Sequence, residues 1–577
     1  MKRLVYVSFG VLILAGAFSA AAQNWPQWGR NAQHTGTTTA VGQTATRILA
    51  DVVYDPFVAQ EKADPLAAPD LLVHYQTPLV DGNNVYMEFK SGTYTSLDHW
   101  ETQTWNERRL QWQGGNLATV WNFQSDWKPA PYGSATNGPG WEPVFHAALA
   151  GNFVYVPGAG GSIFKVSKSN GAGTRISPFG ATLDPDTFTA SPLTADSAGN
   201  IYYTVLELVH GQAWNADVVN SWLVKVAPNG SFQTATITSL TPGAPGKNDK
   251  CLGVFNVNQL PWPPTPTAVP GNVQCGTQRA GLNSAPGVAA DGTIYIVSVA
   301  HLWSREAYLI AANSDLSPKW HTSLRDRLMD GCNVTLPPNG SPGGCRAGAT
   351  TGYDPAQNRP GAGRVIDDNT ASPVVAPDGS IFYGAFTRFN WDQGHIMKFS
   401  PSGQFLTAYR FGWDDTPAIY VHDGTYDVIT KDNQYGEDLG SYCNDPRYCP
   451  SDDRTATMPS YPEAYFITRL DANLNIINRW QNTNTLNCSH DANGNVSCFS
   501  DHPHGWEFCV NAPAVDAGGN VYNNSEDGNL YVVRPDGTLR ESLFLDSAVG
   551  AAYTPLAIGP DGRIYTQNDG HLFAVGQ

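Results

Sequence analysis

The sequence predicts an all-β protein, an eight-bladed β-propeller built from four-stranded antiparallel blades. Three observations carry this prediction: a strand-and-turn motif that recurs along the chain, an abundance of turn residues, and a low content of charge. The 577 residues include 57 Gly and 41 Pro, and 15% of them are charged. This composition is typical of a protein made of strands and turns rather than of amphipathic helices.

The recurring motif has a Pro near the start of a first strand, a Gly-centred turn and an aromatic residue in a second strand. Asn-Gly and Asp-Gly turns between β-rich runs are a strong hairpin signal, because both residues tolerate a positive φ. Clear copies begin at Ser191, Ser284, Ser372, Asn511 and Thr554, and looser copies at Thr77, Glu142 and Thr416. Self-similarity at a spacing of roughly 40 residues indicates a propeller. The number of copies predicts one blade for each.

The last copy ends with LFAVGQ at Gln577 and lacks a fourth strand. The segment TRILADVVYD, from Thr46 to Asp55, can supply this strand and close the ring. Closure by the two chain ends removes exposed strand edges, which otherwise promote aggregation. We therefore expect a single propeller over residues 23–577.

Residues 1–22 are predicted to be a secretory signal peptide. Lys2 and Arg3 precede an apolar run that ends at Phe18, and Ala20, Ala21 and Ala22 form a small-residue cleavage site. The apolar run is shorter than a membrane-spanning helix requires. We expect a monomeric protein of the periplasm or the extracellular space, without membrane insertion after cleavage. Its net charge of −17 argues against nucleic acid as a partner.

The nine cysteines agree with export, since disulfides persist in oxidising compartments. Four close pairs stand out: Cys251 with Cys275, Cys332 with Cys345, Cys443 with Cys449, and Cys488 with Cys498. Each pair would close one loop, although sequence alone leaves the connectivity open. Cys509 is left over in the apolar run FCV, and a buried thiol is favoured over a nucleophile there.

Long insertions distinguish this propeller, and they are predicted to lie on one face. They occur between consecutive blades at 238–283, 325–368 and 482–508, and between second and third strands at 207–220, 299–306, 386–394 and 431–462. Both kinds of connection open on the same side of a ring of antiparallel blades. Functional loops are commonly carried by a rigid scaffold. We expect this face to bind a protein, a glycan or a component of the cell envelope.

Tryptophans and one histidine-rich loop give the candidate site residues. The candidate ligand-binding tryptophans are Trp121, Trp127, Trp141, Trp214, Trp303, Trp391 and Trp506. Flat indole rings beside amides and carboxylates suit sugars and aromatic ligands, but packing of the long loops is the favoured alternative. His490, His502 and His504 could form a three-nitrogen set for a transition metal. Their spacing matches no established zinc motif, so solvated loop histidines are the alternative.

Two acidic loops, 436–454 and 364–369, could offer oxygen ligands to calcium. Neither has the Asp-x-Asp-x-Asp-Gly spacing of a dedicated calcium loop, so a solvated acidic surface is favoured.

The mature N-terminus, NWPQWGRNAQHTG, resembles the W-P-x-x-G-x-x-x-x-x-T-G opening of pyrroloquinoline-quinone-like (quinoprotein-type) repeat propellers. The blades resemble the repeat of the same family. This resemblance implies an eight-bladed ring. In the enzymes of that family it also implies the quinone with calcium, the quinone lying between a Trp and a disulfide of adjacent cysteines. No two cysteines are adjacent here.

Two functions follow from the sequence. The favoured one is an exported, non-catalytic propeller that binds through its elaborated face. The alternative is an exported oxidoreductase that uses a quinone, or a metal at the histidine loop. Since one fold carries many functions, the resemblance does not decide between them.

Overall fold

The fold is an eight-bladed β-propeller, as the repeats predict. The computed structural model describes residues 24–577 except 66–74, 98, 130–144, 213, 215, 260–261, 335–344, 368–370, 388–392, 414, 435–463, 492, 509–511 and 551–553. The predicted signal peptide, Trp141, Trp391, Cys443, Cys449 and Cys509 therefore lie outside the described residues. Within the described part, eight antiparallel sheets of four strands account for almost all regular structure.

Each blade runs from an inner strand through two middle strands to an outer one. Blades 1 to 4 comprise Leu79–Asp81, Asn84–Gly92, Gln103–Gln113 and Asn116–Gln124; Ala148–Ala150, Phe153–Pro157, Ile163–Ser167 and Gly173–Ile176; Thr187–Thr189 with Thr194–Ala195, Ile201–Glu207, Asn220–Val226 and Phe232–Thr236; and Gln278–Ala280 with Gly287–Val288, Ile294–Ala300, Trp303–Ala312 and Pro318–Ser323. Blades 5 to 8 comprise Val374–Val375, Ile381–Phe386, Gln393–Phe399 and Phe405–Gly412; Ala418–His422, Thr425–Gln434, Ala464–Leu470 and Ile476–Asn482; Ala514–Val515, Val521–Asn524, Asn529–Val533 and Leu539–Phe544; and Ala557–Ile558, Ile564–Asn568, His571–Gly576 and Arg47–Val53.

The turn between the inner and second strands shows why the motif folds as it does. In blade 5 the Asp378 carboxylate accepts a hydrogen bond of 2.9 Å from the Ser380 backbone N–H. Gly379 between them has φ +79°, a left-handed conformation that favours glycine. The Asp-Gly pair thus closes the turn and sets the register of the first two strands.

Apolar side chains fill the spaces between neighbouring blades. Between blades 6 and 7, Ile429 and Ile467 pack against Val521 and Tyr531. Residues alternate between the two faces of a strand, so one face of each blade packs on the preceding blade and the other on the following one. Burial on both faces explains the nearly continuous apolar runs of the middle strands.

The eighth blade contains strands from both ends of the chain. Its outer strand, Arg47–Val53, pairs antiparallel with His571–Gly576, and Asp51 lies opposite Phe573. The last blade therefore has four strands, and its third strand is not exposed at an edge.

Residues 25–43 run around the propeller axis and contact the blades in chain order. Backbone hydrogen bonds of 2.6–2.9 Å join this axial segment to inner strands or inner turns. The partners are Val80, Leu149, Val288, Val375, Ile419, Val515, Ala517 and Gly562. Blade 3 is held by the Gln27 side chain, which accepts from the Ala195 N–H. The segment lies on the side of the inner turns, here called the lower face; the opposite side, with the long connections, is the upper face.

The insertions on the upper face carry their own small elements. Three hairpins occur within the described residues, Lys250–Leu252 with Asn272–Gln274, Tyr353–Asp354 with Arg359–Pro360, and Leu486–His490 with Val496–Ser500. The short helices are Val58–Lys62, Ile237–Leu240 and the 3-10 turn Val257–Gln259. Three of the predicted cysteine pairs are disulfide-bonded, Cys251–Cys275, Cys332–Cys345 and Cys488–Cys498.

Candidate functional site

Polar residues at the upper ends of the inner strands join neighbouring blades. The Ala285 N–H donates to the Ser372 hydroxyl at 2.9 Å, and the Ser372 N–H donates to the Thr416 hydroxyl at 2.9 Å. Between blades 1 and 2, the Thr77 N–H donates to Nε2 of His146 at 3.0 Å. These contacts tie the blades together where the axis meets the upper face.

At the upper end of blade 6 and in the space between blades 6 and 7, three buried polar side chains have atoms without a hydrogen-bond partner among the residues that the structure describes. We call Asp415, Lys431 and Asn523 the axial cluster; all three are fully buried. Nζ of Lys431, Oδ1 of Asp415, and both Oδ1 and Nδ2 of Asn523 have no hydrogen-bond partner within the described ranges. Buried polar groups are nearly always paired, so each exception calls for an explanation.

The strand register places Lys431 and Asn523 on the faces of blades 6 and 7 that pack together, and Asp415 lies beside Lys431 at the upper end of blade 6. Ile429 of blade 6 and Val521 of blade 7 pack in the same interblade core. Lys431 and Asn523 each lie two residues further toward the upper face, and residues two apart on a strand share a face. Asp415 immediately precedes the inner strand of blade 6. Its Oδ2 accepts from the Thr430 hydroxyl at 3.0 Å and from the Lys431 N–H at 3.4 Å.

Burial controls the protonation of this cluster. Burial raises the pKa of Asp415 to about 6, and the nearby Lys431 ammonium and the Thr430 hydrogen bond limit the rise. A carboxyl group with that pKa gains or loses a proton close to neutral pH, as a general base must. The backbone oxygen of Asp415 also lies against Gly384, where a Cβ would come within 2.2 Å of it. Only glycine lets blade 5 approach Asp415 this closely.

A second group of buried titratable residues belongs to blades 1 and 2. The Glu107 carboxylate accepts from Nε2 of Gln76 at 3.2 Å, and burial raises its pKa to about 8. Burial also lowers the pKa of His146 to about 3, so its ring is neutral. Because Nε2 accepts from Thr77, the proton is on Nδ1, which donates to the Ala147 oxygen at 2.9 Å. These groups are bonded to neighbouring strands and have a structural role.

The structure places the predicted tryptophans mostly in packed positions. Trp121 is a buried residue of the outer strand of blade 1, not of an insertion, and its Nε1 donates to the Lys168 oxygen at 2.9 Å. Trp127 is 1% exposed and packs edge-on against Trp105 at 5.3 Å. These two belong to the interblade core of blades 1 and 2.

Of the other described tryptophans, Trp214 and Trp506 lie in connections, whereas Trp303 begins the third strand of blade 4. Trp214 lies 4.9 Å from the His301 ring and 5.2 Å from the Arg279 guanidinium. Trp303 packs beside the Cys251–Cys275 disulfide. Trp506 is 2% exposed, and its Nε1 donates to the Leu486 oxygen at 3.1 Å. Ligand contact by the seven tryptophans stays a prediction.

The structure does not bring the three loop histidines into one group. Nδ1 of His490 is 2.8 Å from the Asp546 carboxylate, and Nδ1 of His502 is 2.6 Å from the Asp501 carboxylate. The His502 ring stacks on Trp506 at 3.4 Å. Among the described residues, the side chains that could hold a metal ion together are instead Asp184, Asp186 and His210, whose ligand atoms lie within 4.8 Å of one another. A metal at His490, His502 and His504 stays a prediction.

Sequence reasoning missed the axial cluster and the path of the axial segment. The sequence contains a signal for Lys431, because TKDNQ places five consecutive polar residues directly after the apolar pair Val428 and Ile429. A buried strand is not expected to carry them without a reason.

Comparisons with known proteins concern the fold. No family model and no curated protein matches the chain. Among solved structures it resembles a europium-containing methanol dehydrogenase, with TM-score 0.49 and 12% identity over 94% of this chain and 89% of that one. It also resembles the quinohemoprotein alcohol dehydrogenase from Comamonas testosteroni, with TM-score 0.49 and 11% identity over 97% and 82%. A third is BamB from Moraxella catarrhalis, with TM-score 0.35 and 9% identity over 82% and 88%.

The fold therefore belongs to the class of eight-bladed propellers, and quinoprotein alcohol dehydrogenases are among the structures it resembles. None of the helices within the described residues is long and apolar enough to cross a membrane.

Proposed function

We propose that this chain is an exported oxidoreductase of the quinoprotein type whose reaction centre is the axial cluster. The observation that carries the proposal is the Lys431 ammonium, which is fully buried and has no hydrogen-bond partner within the described residues. The Asp415 carboxyl group is near enough to interact with its charge, but a buried ammonium that makes no hydrogen bond is still costly. A ligand with an acceptor oxygen would provide the missing partner.

The unpaired atoms fit the chemistry of pyrroloquinoline quinone, which carries carboxylates and adjacent carbonyl oxygens. Nζ of Lys431 and Nδ2 of Asn523 are unpaired donors, and both suit acceptor oxygens. These two residues would hold the quinone. When bound, it would supply a two-electron acceptor for oxidation of an alcohol. The calcium that the resemblance implies stays a prediction.

Asp415 has the properties of the proton acceptor for this reaction. Its pKa of about 6 leaves it largely ionised at neutral pH and able to take a proton from a substrate hydroxyl. The positive charge of Lys431 favours the ionised form of Asp415. An uncharged residue at position 431 would not have this effect. Because the cluster is fully buried, water does not screen the interaction between these groups.

Two measurements test the proposal. Protein purified without chelator is titrated with the quinone and calcium, and retention of the quinone absorption after desalting is recorded. Dye reduction with a primary alcohol is then measured. Lys431→Met should weaken quinone retention about 10-fold or more, since a charge-assisted contact is lost. Asp415→Asn should retain the quinone and lose dye reduction.

The matched control is Lys168→Met, which removes the same charge from an ion pair with Asp81 on the lower face. It should behave as the unmodified protein in both measurements. Failure of the unmodified protein to retain the quinone would rule out the proposal. The non-catalytic binding function would then be the one to pursue, with the upper face as the surface to examine.

A further inference from the structure

A pocket on the upper face of blade 4 carries positive charge in an otherwise acidic chain. Its volume is about 490 Å³, and four basic side chains line it, Lys250, Arg325, Arg327 and Arg359. The acidic residues that line it are Glu306 and Asp326. The lining thus has four positive and two negative side chains, a net charge of +2, whereas the whole chain has −17. We call this the basic pocket.

Two of the four cations are held in place by the two carboxylates. Arg325 forms an ion pair with Glu306, and both side chains are about nine-tenths buried. Arg359 makes a two-pronged contact with Asp326, with Nε–Oδ1 at 3.1 Å and Nη2–Oδ2 at 2.6 Å. Asp326 has φ +55°, an uncommon conformation for a residue other than glycine. Such conformations concentrate at functional sites.

The other two cations have no carboxylate within 4.0 Å in the part of the chain that the structure describes. Arg327 is oriented by backbone and hydroxyl oxygens: Nε donates to the Ser323 oxygen at 3.1 Å and Nη2 to the Thr322 hydroxyl at 3.4 Å. Lys250 is exposed on a hairpin strand whose next residue, Cys251, is bonded to Cys275. The disulfide fixes the hairpin that carries the lysine.

We propose that the basic pocket binds a phosphoryl group carrying about two negative charges. A net charge of +2 complements a phosphate monoester or free phosphate near neutral pH. Arginine forks suit the oxygen geometry of phosphate. The two carboxylates favour free phosphate further, because the HPO4²⁻ ion can donate its remaining proton to one of them, whereas sulfate, dicarboxylates and the dianion of a phosphate monoester have no such proton at neutral pH. This proposal is independent of the proposed oxidoreductase activity.

Calorimetric titration of the full-length protein tests the proposal, with inorganic phosphate in one arm and glycerol 3-phosphate in another. Binding of both compounds would identify a site for the phosphoryl group. Tighter binding of one would show whether the natural ligand is free phosphate or a phosphate monoester. Arg327→Gln and Lys250→Gln should each weaken binding by about 10-fold, the loss expected for one charge-assisted hydrogen bond. Lys250 is exposed, so its variant should fold even if the Arg327 variant does not.

Lys319→Gln is the matched control. Lys319 lies on the outer strand of blade 4 outside the pocket, 3.4 Å from Asp291, and its replacement changes the net charge by the same amount. It should change affinity less than about 2-fold, in the range of a surface charge. Absence of phosphate binding at millimolar concentration, equal effects of Lys319→Gln and Lys250→Gln, or sulfate or succinate binding as tightly as phosphate would each overturn the proposal.

Discussion

Two buried lysines occupy second strands of different blades, and replacing each with methionine should change the free energy of unfolding in opposite directions. Nζ of Lys90 in blade 1 lies 3.0 Å from Oδ2 of Asp55 and 3.0 Å from Oε1 of Glu61, and the three side chains have no exposed surface. Nζ of Lys431 in blade 6 is equally buried and has no partner among the described residues. Methionine is a suitable replacement, because it is of similar length and uncharged.

The magnitudes follow from what each substitution leaves behind. Lys90→Met leaves Asp55 and Glu61 buried without their cation, and breaking a buried pair from one side costs about 3–5 kcal/mol. Lys431→Met removes a buried ammonium that makes no hydrogen bond to any described residue, and with it the charge that favours ionised Asp415. Below about pH 6, where Asp415 is protonated, the ammonium is uncompensated and its removal should stabilise the folded state by about 1–3 kcal/mol.

The assay is denaturant unfolding of the ligand-free protein at several pH values. In Lys90→Met, Asp55 and Glu61 remain buried without their cation, and burial disfavours the ionised form of a carboxyl group. The deficit should therefore be larger at pH 8 than at pH 4. Lys168→Met, which breaks a partly exposed pair with Asp81, should cost at most about 1 kcal/mol.

The refuting result is specific to Lys431. If Lys431→Met destabilises the ligand-free protein as much as Lys90→Met does, the Lys431 ammonium is stabilised within the fold. The unpaired Nζ of Lys431 would then not indicate a missing ligand oxygen, and the argument for a site at the axial cluster would fail.

Three further predictions concern the axis and its surroundings. Burial raises the pKa of Glu107 to about 8 from an ordinary 4.5, so the unmodified protein loses stability as pH rises through that range. Glu107→Gln should abolish this pH-dependent loss of stability and raise the free energy of unfolding by up to about 5 kcal/mol at pH 8. Midpoints of urea unfolding measured as a function of pH test this, and an unchanged pH dependence would contradict it. Gly384→Ala should cost about 1–3 kcal/mol, because its Cβ would lie 2.2 Å from the Asp415 oxygen; a melting temperature equal to that of the unmodified protein would show that blade 5 adjusts freely. Deletion of residues 24–43 should yield insoluble protein, since the inner strands lose their shared partner; normal solubility would contradict it.

The fold could be predicted from the sequence because its signals are local and repeated. The Pro near the strand start and a Gly-centred turn recur in each blade, and a turn such as Asp378–Ser380 closes through contacts within three residues. Blade 1 shows the limit of this reasoning. Its third and outer strands, Gln103–Gln113 and Asn116–Gln124, are long and rich in polar residues, so the repeat pattern does not reveal that Trp121 belongs to an outer strand. The Gly114–Gly115 turn between them was the overlooked signal.

The candidate site could not be predicted in the same way, because it depends on how blades meet. Asp415 and Lys431 are 16 residues apart and contact each other within blade 6, but Asn523 enters from blade 7. The local sequence pattern does not indicate whether a side chain will have a hydrogen-bond partner. Hydrogen bonding depends on the neighbouring blades, so the unpaired Nζ of Lys431 can be recognised only in the assembled ring.

The axial segment makes the two ends of the propeller axis different, because it covers the inner strands only on the lower face. This difference affects where a ligand can enter. Residues 25–43 bond to the inner strands on the lower face, and His34 of this segment is fully buried there. Burial lowers the pKa of His34 to about 4, so the ring is neutral; Nδ1 is 2.9 Å from the Pro373 oxygen and Nε2 is 3.3 Å from the Thr194 hydroxyl. His34 therefore joins blades 3 and 5 at the axis on the lower face. We predict that a ligand of the axial cluster enters from the upper face, where the disulfide-closed insertions lie.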